Sequence, residues 1–294
     1  MALLEAIVRN TVYDLTNGPI IWTGDDNTGL VEVERITERG AQQDGDTDEG
    51  FTVQPRILQL ALESLPVTST EMWNERRRIL RIFRPSTTPI TLRWTLDNGE
   101  VLCIDGHVVG GISFGSSDRE GMAQAFVVQL RCADPFFYNP TRKFVSAGVA
   151  ASGTPFGFPV SFPEEFGIAS TIDVISQLTY LGTWREYPVI EIVGPITNCV
   201  IEHLDTGDKL DFTGTTIGAG VTYTIDLRYG YKTIFDSSGI NRIGQLTNDS
   251  DLATWSLQPD PEVADGINNI QFSGSGATSA TQIYIRFYER HVGL

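Results

Sequence analysis

The chain has 294 residues, of which 41% are hydrophobic and 20% charged, and it carries a formal charge of −16 with an isoelectric point near 4.5. This is a globular composition at a length suited to two domains, and it excludes a disordered, collagen-like or disulfide-framework chain. A generic nucleic-acid binder would need a basic face that this charge denies it, and no run approaches the ~18 consecutive apolar residues of a membrane span.

The acidity is not confined to a tail. Up to Pro140 there are 12 basic and 20 acidic residues, and beyond it 9 and 17, so each part carries −8. Only Lys143, Lys209 and Lys232 are lysines; the other basic residues are arginines. The first residues run into Glu5, Arg9 and Asp14 without a signal-peptide pattern, so a chain made and folded in a cytoplasm is expected.

In chain order, the first conspicuous segment is Asp44-Gly45-Asp46-Thr47-Asp48-Glu49-Gly50. Alternating carboxylates open the helix–loop–helix calcium motif, but that motif needs Gly sixth and Glu twelfth. Glu49 and Pro55 stand there, so an acidic surface loop is expected. Leu58, Leu60 and Leu62 alternate with Gln59, Ala61 and Glu63, as in a strand buried on one face.

Residues 68–84 carry Met72, Trp73, Ile79, Leu80 and Phe83 at helical spacing. Thr68 and Glu71 are placed as a capping box and Pro85 as a stop, which predicts the one strong helix of the chain. Runs 90–96 and 100–104 flank Asp97-Asn98-Gly99 and predict a hairpin, since Asn-Gly accepts positive φ. A strand is predicted over 123–131, and the proline-bounded aromatics of Asp134-Pro135-Phe136-Phe137-Tyr138-Asn139-Pro140 mark a domain boundary.

Residues 141–187 are rich in Gly, Ser and Pro, yet Phe156, Phe158, Phe162 and Phe166 make a bare linker a poor description. Strands are then predicted at 189–193, 200–204, 221–228, 231–235, 267–272 and 282–289, a spacing that suits an antiparallel sandwich. The expected architecture is mainly β: two sandwich-type domains, 1–140 with one helix and 141–294 without.

Chemistry-bearing motifs are few. His107 follows Asp105-Gly106 at an expected turn, His203 lies in a strand-like run, and His291 is near the end; none adjoins a nucleophile elbow or a zinc-binding helix. Cys103, Cys132 and Cys199 form no Cys-x-x-Cys pair and read as buried free thiols. The carboxylate pairs Glu164-Glu165 and Asp205/Asp208 read as loops. No enzyme, metal or cofactor site is expected.

The electrostatic oddity is the helix, where Arg76, Arg77, Arg78, Arg81 and Arg84 crowd together in an acidic chain. They either pair with Glu71, Glu75 and acidic loops of the same subunit, or form a basic face for an acidic neighbour. Trp73, Arg76, Arg77 and Arg81 are the candidate interface residues. Trp184, Tyr229, Tyr231 and Trp255 are candidates for a sugar-stacking platform, although each residue type is more often core or strand packing.

Further motifs follow one another along the chain, beginning with Trp73-Asn74-Glu75-Arg76-Arg77-Arg78 and Cys132-Ala133-Asp134-Pro135-Phe136-Phe137-Tyr138. Next come Tyr187-Pro188-Val189-Ile190-Glu191-Ile192-Val193-Gly194-Pro195-Ile196-Thr197-Asn198, Val200-Ile201-Glu202 and Thr206-Gly207. Thr224-Ile225-Asp226-Leu227-Arg228, Asn241-Arg242, Leu246-Thr247-Asn248-Asp249-Ser250-Asp251-Leu252 and the closing Ile283-Tyr284-Ile285-Arg286-Phe287-Tyr288-Glu289-Arg290 complete the series. In this order the motifs resemble the distal tail protein family of long-tailed, non-contractile bacteriophages, with Cys199 standing where the family often has proline.

The resemblance implies a non-enzymatic structural protein of the virion tail tip. Its first domain would close a homo-hexameric ring, and its second, galectin-like or carbohydrate-module-like, would project outward. The implied partners are the tail tube protein, the baseplate hub or tail-tip protein, and fibres or receptor-binding proteins. DNA would pass through the lumen only as cargo, and no membrane insertion is implied. A host-recognition module of carbohydrate-binding type is the alternative.

Overall fold

The structure is a computed structural model, and it describes residues 2–115, 119–120, 123–148 and 171–294. Phe156, Phe158, Phe162, Phe166, Glu164 and Glu165 lie outside the described residues. The chain divides into two compact units, residues 1–140 with 290–294, and residues 141–289.

The first unit opens with β1 (Leu3–Val8), β2 (Thr11–Asp14), β3 (Ile20–Asp26), β4 (Val33–Glu38), β5 (Thr47–Val53) and β6 (Arg56–Ser64). The helix α1 (Ser69–Ile82) follows, then β7 (Ile90–Thr95), β8 (Val101–Val109), β9 (Arg119–Glu120), β10 (Ala123–Cys132) and β11 (Phe137–Tyr138). Its main sheet runs β2-β1-β7-β8-β10-β6-β3, antiparallel throughout. Strand β8 links the two halves of this sheet, pairing with β7 over 101–106 and with β10 over 107–109.

Gly106 sits at that change of partner. A Cβ there would lie 3.0 Å from Cys132 Sγ and 3.1 Å from Leu130 Cβ, so glycine lets the strands close. Period-2 alternation buries Leu58, Leu60 and Leu62 of β6 and Phe126, Val128 and Leu130 of β10, as the sequence pattern requires. Ile79, Ile82 and Phe83 of α1 join this core.

The predicted hairpin is β7–β8. Its loop is the three residues 97–99, with only Gly99 at positive φ (86°) and the Gly99 N–H donating to Leu96 O. This is a turn closed by one left-handed glycine, not a two-residue Asn-Gly turn.

Three expectations are corrected here. The acidic segment 44–50 is not wholly loop: from Thr47 it enters β5, which pairs with the unforeseen β4 as a separate two-stranded hairpin. His107 lies within β8 and not at a turn. The last five residues belong to the first unit, so the second unit is shorter than the expected domain 141–294.

The second unit holds β12 (Lys143–Gly148), β13 (Thr171–Thr179), β14 (Val189–Val193), β15 (Ile196–His203), β16 (Lys209–Asp211) and β17 (Thr216–Ile217). They are followed by β18 (Thr222–Asp226), β19 (Thr233–Asp236), β20 (Ile267–Ser275) and β21 (Gln282–Phe287). One antiparallel sheet runs β12-β21-β14-β18-β19; a second runs β13-β20-β15-β16, with β17 also on β15. Ile190, Ile192, Ile225, Ile283 and Ile285 of the first meet Ile201, Leu210, Ile270 and Phe272 of the second in one core, with Trp255 and Phe212 inside it. Gly194 of the Gly-Pro motif has a backbone reason: a Cβ there would fall 2.3 Å from Gly218 O.

The final strand, β22 (Arg290–His291), pairs with β11. Arg56, at the start of β6, is nearly fully buried at 2% exposure. Its guanidinium donates to the carbonyls of Pro135 (2.8 Å), Asn27 (2.5 Å), Gly29 (2.8 Å) and Val292 (2.6 Å), and lies over the Phe137 ring. One buried cation thus ties two loops and the chain end to the first core, with carbonyl dipoles in place of a carboxylate.

Candidate functional site

The sequence of α1 explains both its ends. Thr68 Oγ1 accepts the Glu71 N–H at 3.2 Å, and the Glu71 carboxylate accepts the N–H groups of Thr68 and Val67 at 3.1 Å. At the other end the Phe83 N–H returns to Ile79 O and Pro85 prevents continuation. Glu71 in the first turn and Arg81 in the last both suit the helix dipole.

Met72, Ile79, Ile82 and Phe83 face inward. The opposite stripe, spaced by three and four residues, holds Trp73, Arg77, Leu80, Arg81 and Arg84, all exposed, with Trp73 at 52% and Leu80 at 50%. Trp73 and Leu80 therefore leave the apolar set that helical spacing suggested, and Ile82 enters it.

The candidate interface residues separate. Arg76 is held inside its own unit: its guanidinium donates to Gln124 Oε1 and lies over the rings of Trp73 (5.0 Å) and Phe114 (5.1 Å). Arg78 approaches Glu75 at 3.7 Å. Among the described residues no hydrogen bond or ion pair engages the side chains of Arg77, Arg81 or Arg84. Pairing within the subunit thus accounts for two of the five arginines and leaves a basic, partly apolar face.

In the second unit, the four aromatic candidates separate into one core residue and three nearer the surface. Trp255 is fully buried, with its ring 5.9 Å from that of His203. Trp184 is half-buried under Arg185, and Arg228 lies 4.7 Å over Tyr231. Tyr229 packs edge-on against Tyr187 at 4.7 Å, with the Lys232 ammonium beside both rings. Burial of Lys232 pulls its ammonium down to about 8. The candidate rings Trp184, Tyr229 and Tyr231 are thus each engaged by a cation of the same chain.

The titratable groups are arranged for structure. Asn268 donates its amide hydrogens to Gln258 O and Gly266 O, so its Oδ1 is an acceptor and His203 Nε2, 2.8 Å away, carries the proton. His107 bonds Ser86 O through Nδ1 at 3.2 Å. Burial pushes the thiols of Cys103, Cys132 and Cys199 up to about 11, 12 and 12, which keeps them protonated and unreactive. Among the described residues no three His, Cys, Asp or Glu side chains cluster as a metal site, and no helix is long and apolar enough to cross a membrane.

No family model and no curated protein matches the sequence. Solved structures do. The Dit protein of phage SPP1 is 13% identical with a TM-score of 0.65, and the match covers 99% of each chain. A chain of the phage P2 baseplate in its activated conformation with Ca is 11% identical over 97% of this chain and 98% of that one, with a TM-score of 0.45. At such identity the likeness is one of fold. In its described residues the chain has the mainly β fold of a phage Dit protein, the kind of protein its sequence motifs resemble.

Proposed function

We propose that this chain is a structural protein of a phage tail: a distal tail protein that joins the tail tube to the baseplate hub or tail tip. Six copies close a ring through their first units, the second units serve as attachment platforms for fibres or receptor-binding proteins, and DNA passes through the lumen. No catalysis and no cofactor enter this role. The observation that carries it is the full-length match in fold to SPP1 Dit, whose structure is described as a paradigm of the hub adsorption apparatus in phages infecting Gram-positive bacteria.

The alternative, a carbohydrate-binding module, is less well supported. Trp255 is core, and the chain's own cations lie on the other candidate rings. The test is gold labelling of intact virions with an antibody against the chain. Label at the free end of the tail is expected. Absence of the protein from purified virions, or label on the capsid, would overturn the proposal.

A further inference from the structure

Among the described residues the hairpin β4–β5 pairs with no other strand, and a lone two-stranded hairpin is marginally stable in water. Its strands are exposed almost throughout, including Val33 (39%), Ile36 (48%) and Phe51 (41%). Residues 32–53 hold seven carboxylates and two arginines, a net −5 in a short span. Asp48 is paired with Arg35 at 2.9 Å, but among the described residues the side chains of Glu38 and Glu49 take part in no ion pair or hydrogen bond.

The outer face of α1 is the counterpart in both respects. Trp73 and Leu80 supply exposed apolar surface, and Arg77, Arg81 and Arg84 supply unpaired positive charge. Among the described residues no hydrogen bond or ion pair joins this face to the hairpin of the same chain.

We infer that the β4–β5 hairpin of one copy docks on the outer face of α1 in the next copy. The occupant is a second copy of this chain because the two surfaces complement each other in charge and both combine charged with apolar side chains. Opposite charges around an apolar centre set register and partner, and Trp and Arg are the side chains that most often anchor such contacts. The contact joins two different patches, so it repeats from copy to copy, the type of contact that closes rings. The inference rests on the ring reading above and names the surfaces that close the ring.

The test uses the full chain and light scattering at low and high salt. Wild type is expected to run as a multimer that weakens as salt screens the contact. The double variants Arg77→Glu/Arg81→Glu and Glu38→Arg/Glu49→Arg should each run at 32.4 kDa, with thermal midpoints matching wild type when all are compared at high salt, because all four side chains are exposed and unpaired and only assembly separates the proteins at low salt. Mixing the two variants in equal amounts should restore the multimer, since every contact in an alternating assembly again joins opposite charges. Retention of the multimer by either variant, a mixture that stays monomeric, or a wild type that stays at 32.4 kDa at its highest soluble concentration would overturn the inference. None of these outcomes bears on gold labelling of the tail end, which judges the broader role separately.

Discussion

The two units treat their charges differently. In the second, five of eight cations have a carboxylate partner of the same unit: Arg228 with Asp226, Arg242 with Asp236, Arg286 with Glu191, Lys143 with Glu289, and Lys209 between Asp211 and Asp249. In the first, Arg77, Arg81 and Arg84 stand unmatched on one helix face, and the acidic hairpin stands apart from the main sheet. Exposed ion pairs add little to stability, so matching in the second unit chiefly removes reasons to bind elsewhere. The first unit keeps those reasons, which is what an assembling surface needs.

The contrast is broken most severely from inside. Trp255→Ala should cost about 3–5 kcal/mol, the usual range for an emptied aromatic core site. Hydrogen exchange should rise across 141–289; lost glycan binding without destabilisation would instead restore Trp255 to a surface platform. In the first unit, Arg56→Ala leaves four carbonyls without their donor and should cost about 3 kcal/mol. The loss should appear as faster exchange near Asn27, Gly29, Pro135 and Val292.

Smaller effects sharpen the comparison. Thr68→Ala removes the cap of α1 and should cost about 1 kcal/mol, measured by urea denaturation. By contrast Arg77→Ala, on an exposed stripe with no partner, should change monomer stability by less than about 0.5 kcal/mol. Lys232 provides a pH test in the second unit. Its folded value, near 8, lies below the ordinary 10.5, so between these the unfolded chain binds more protons and stability should rise with pH. Lys232→Met should flatten that rise in a denaturation series from pH 7 to 10; an unchanged slope would place the titration elsewhere.

Much of the fold was legible because it rests on local patterns. The alternation of Leu58, Leu60 and Leu62, the Thr68/Glu71 box with Pro85, and Gly99 each act through neighbouring backbone. Strand β4 is not legible because both its faces are exposed, which leaves no buried-exposed alternation, and the bulge that shifts its pairing puts the extra residue, Glu49, in its partner β5. The candidate site was half legible: the clustered arginines were visible, but their separation into engaged and free was not.

By itself, then, the sequence determined a mainly β chain with one capped helix, buried unpaired thiols and an ordered set of motifs resembling distal tail proteins. Only tertiary structure decided which side of α1 is wet, that Arg76 is tied to Gln124, that Trp255 is core, and that Arg56 is buried. The reason is reach. Capping, turns and alternation are settled by residues a few positions away, whereas the fate of an amphipathic side chain depends on distant partners. Arg56 shows this directly, with partners as far along the chain as Val292, 236 positions on.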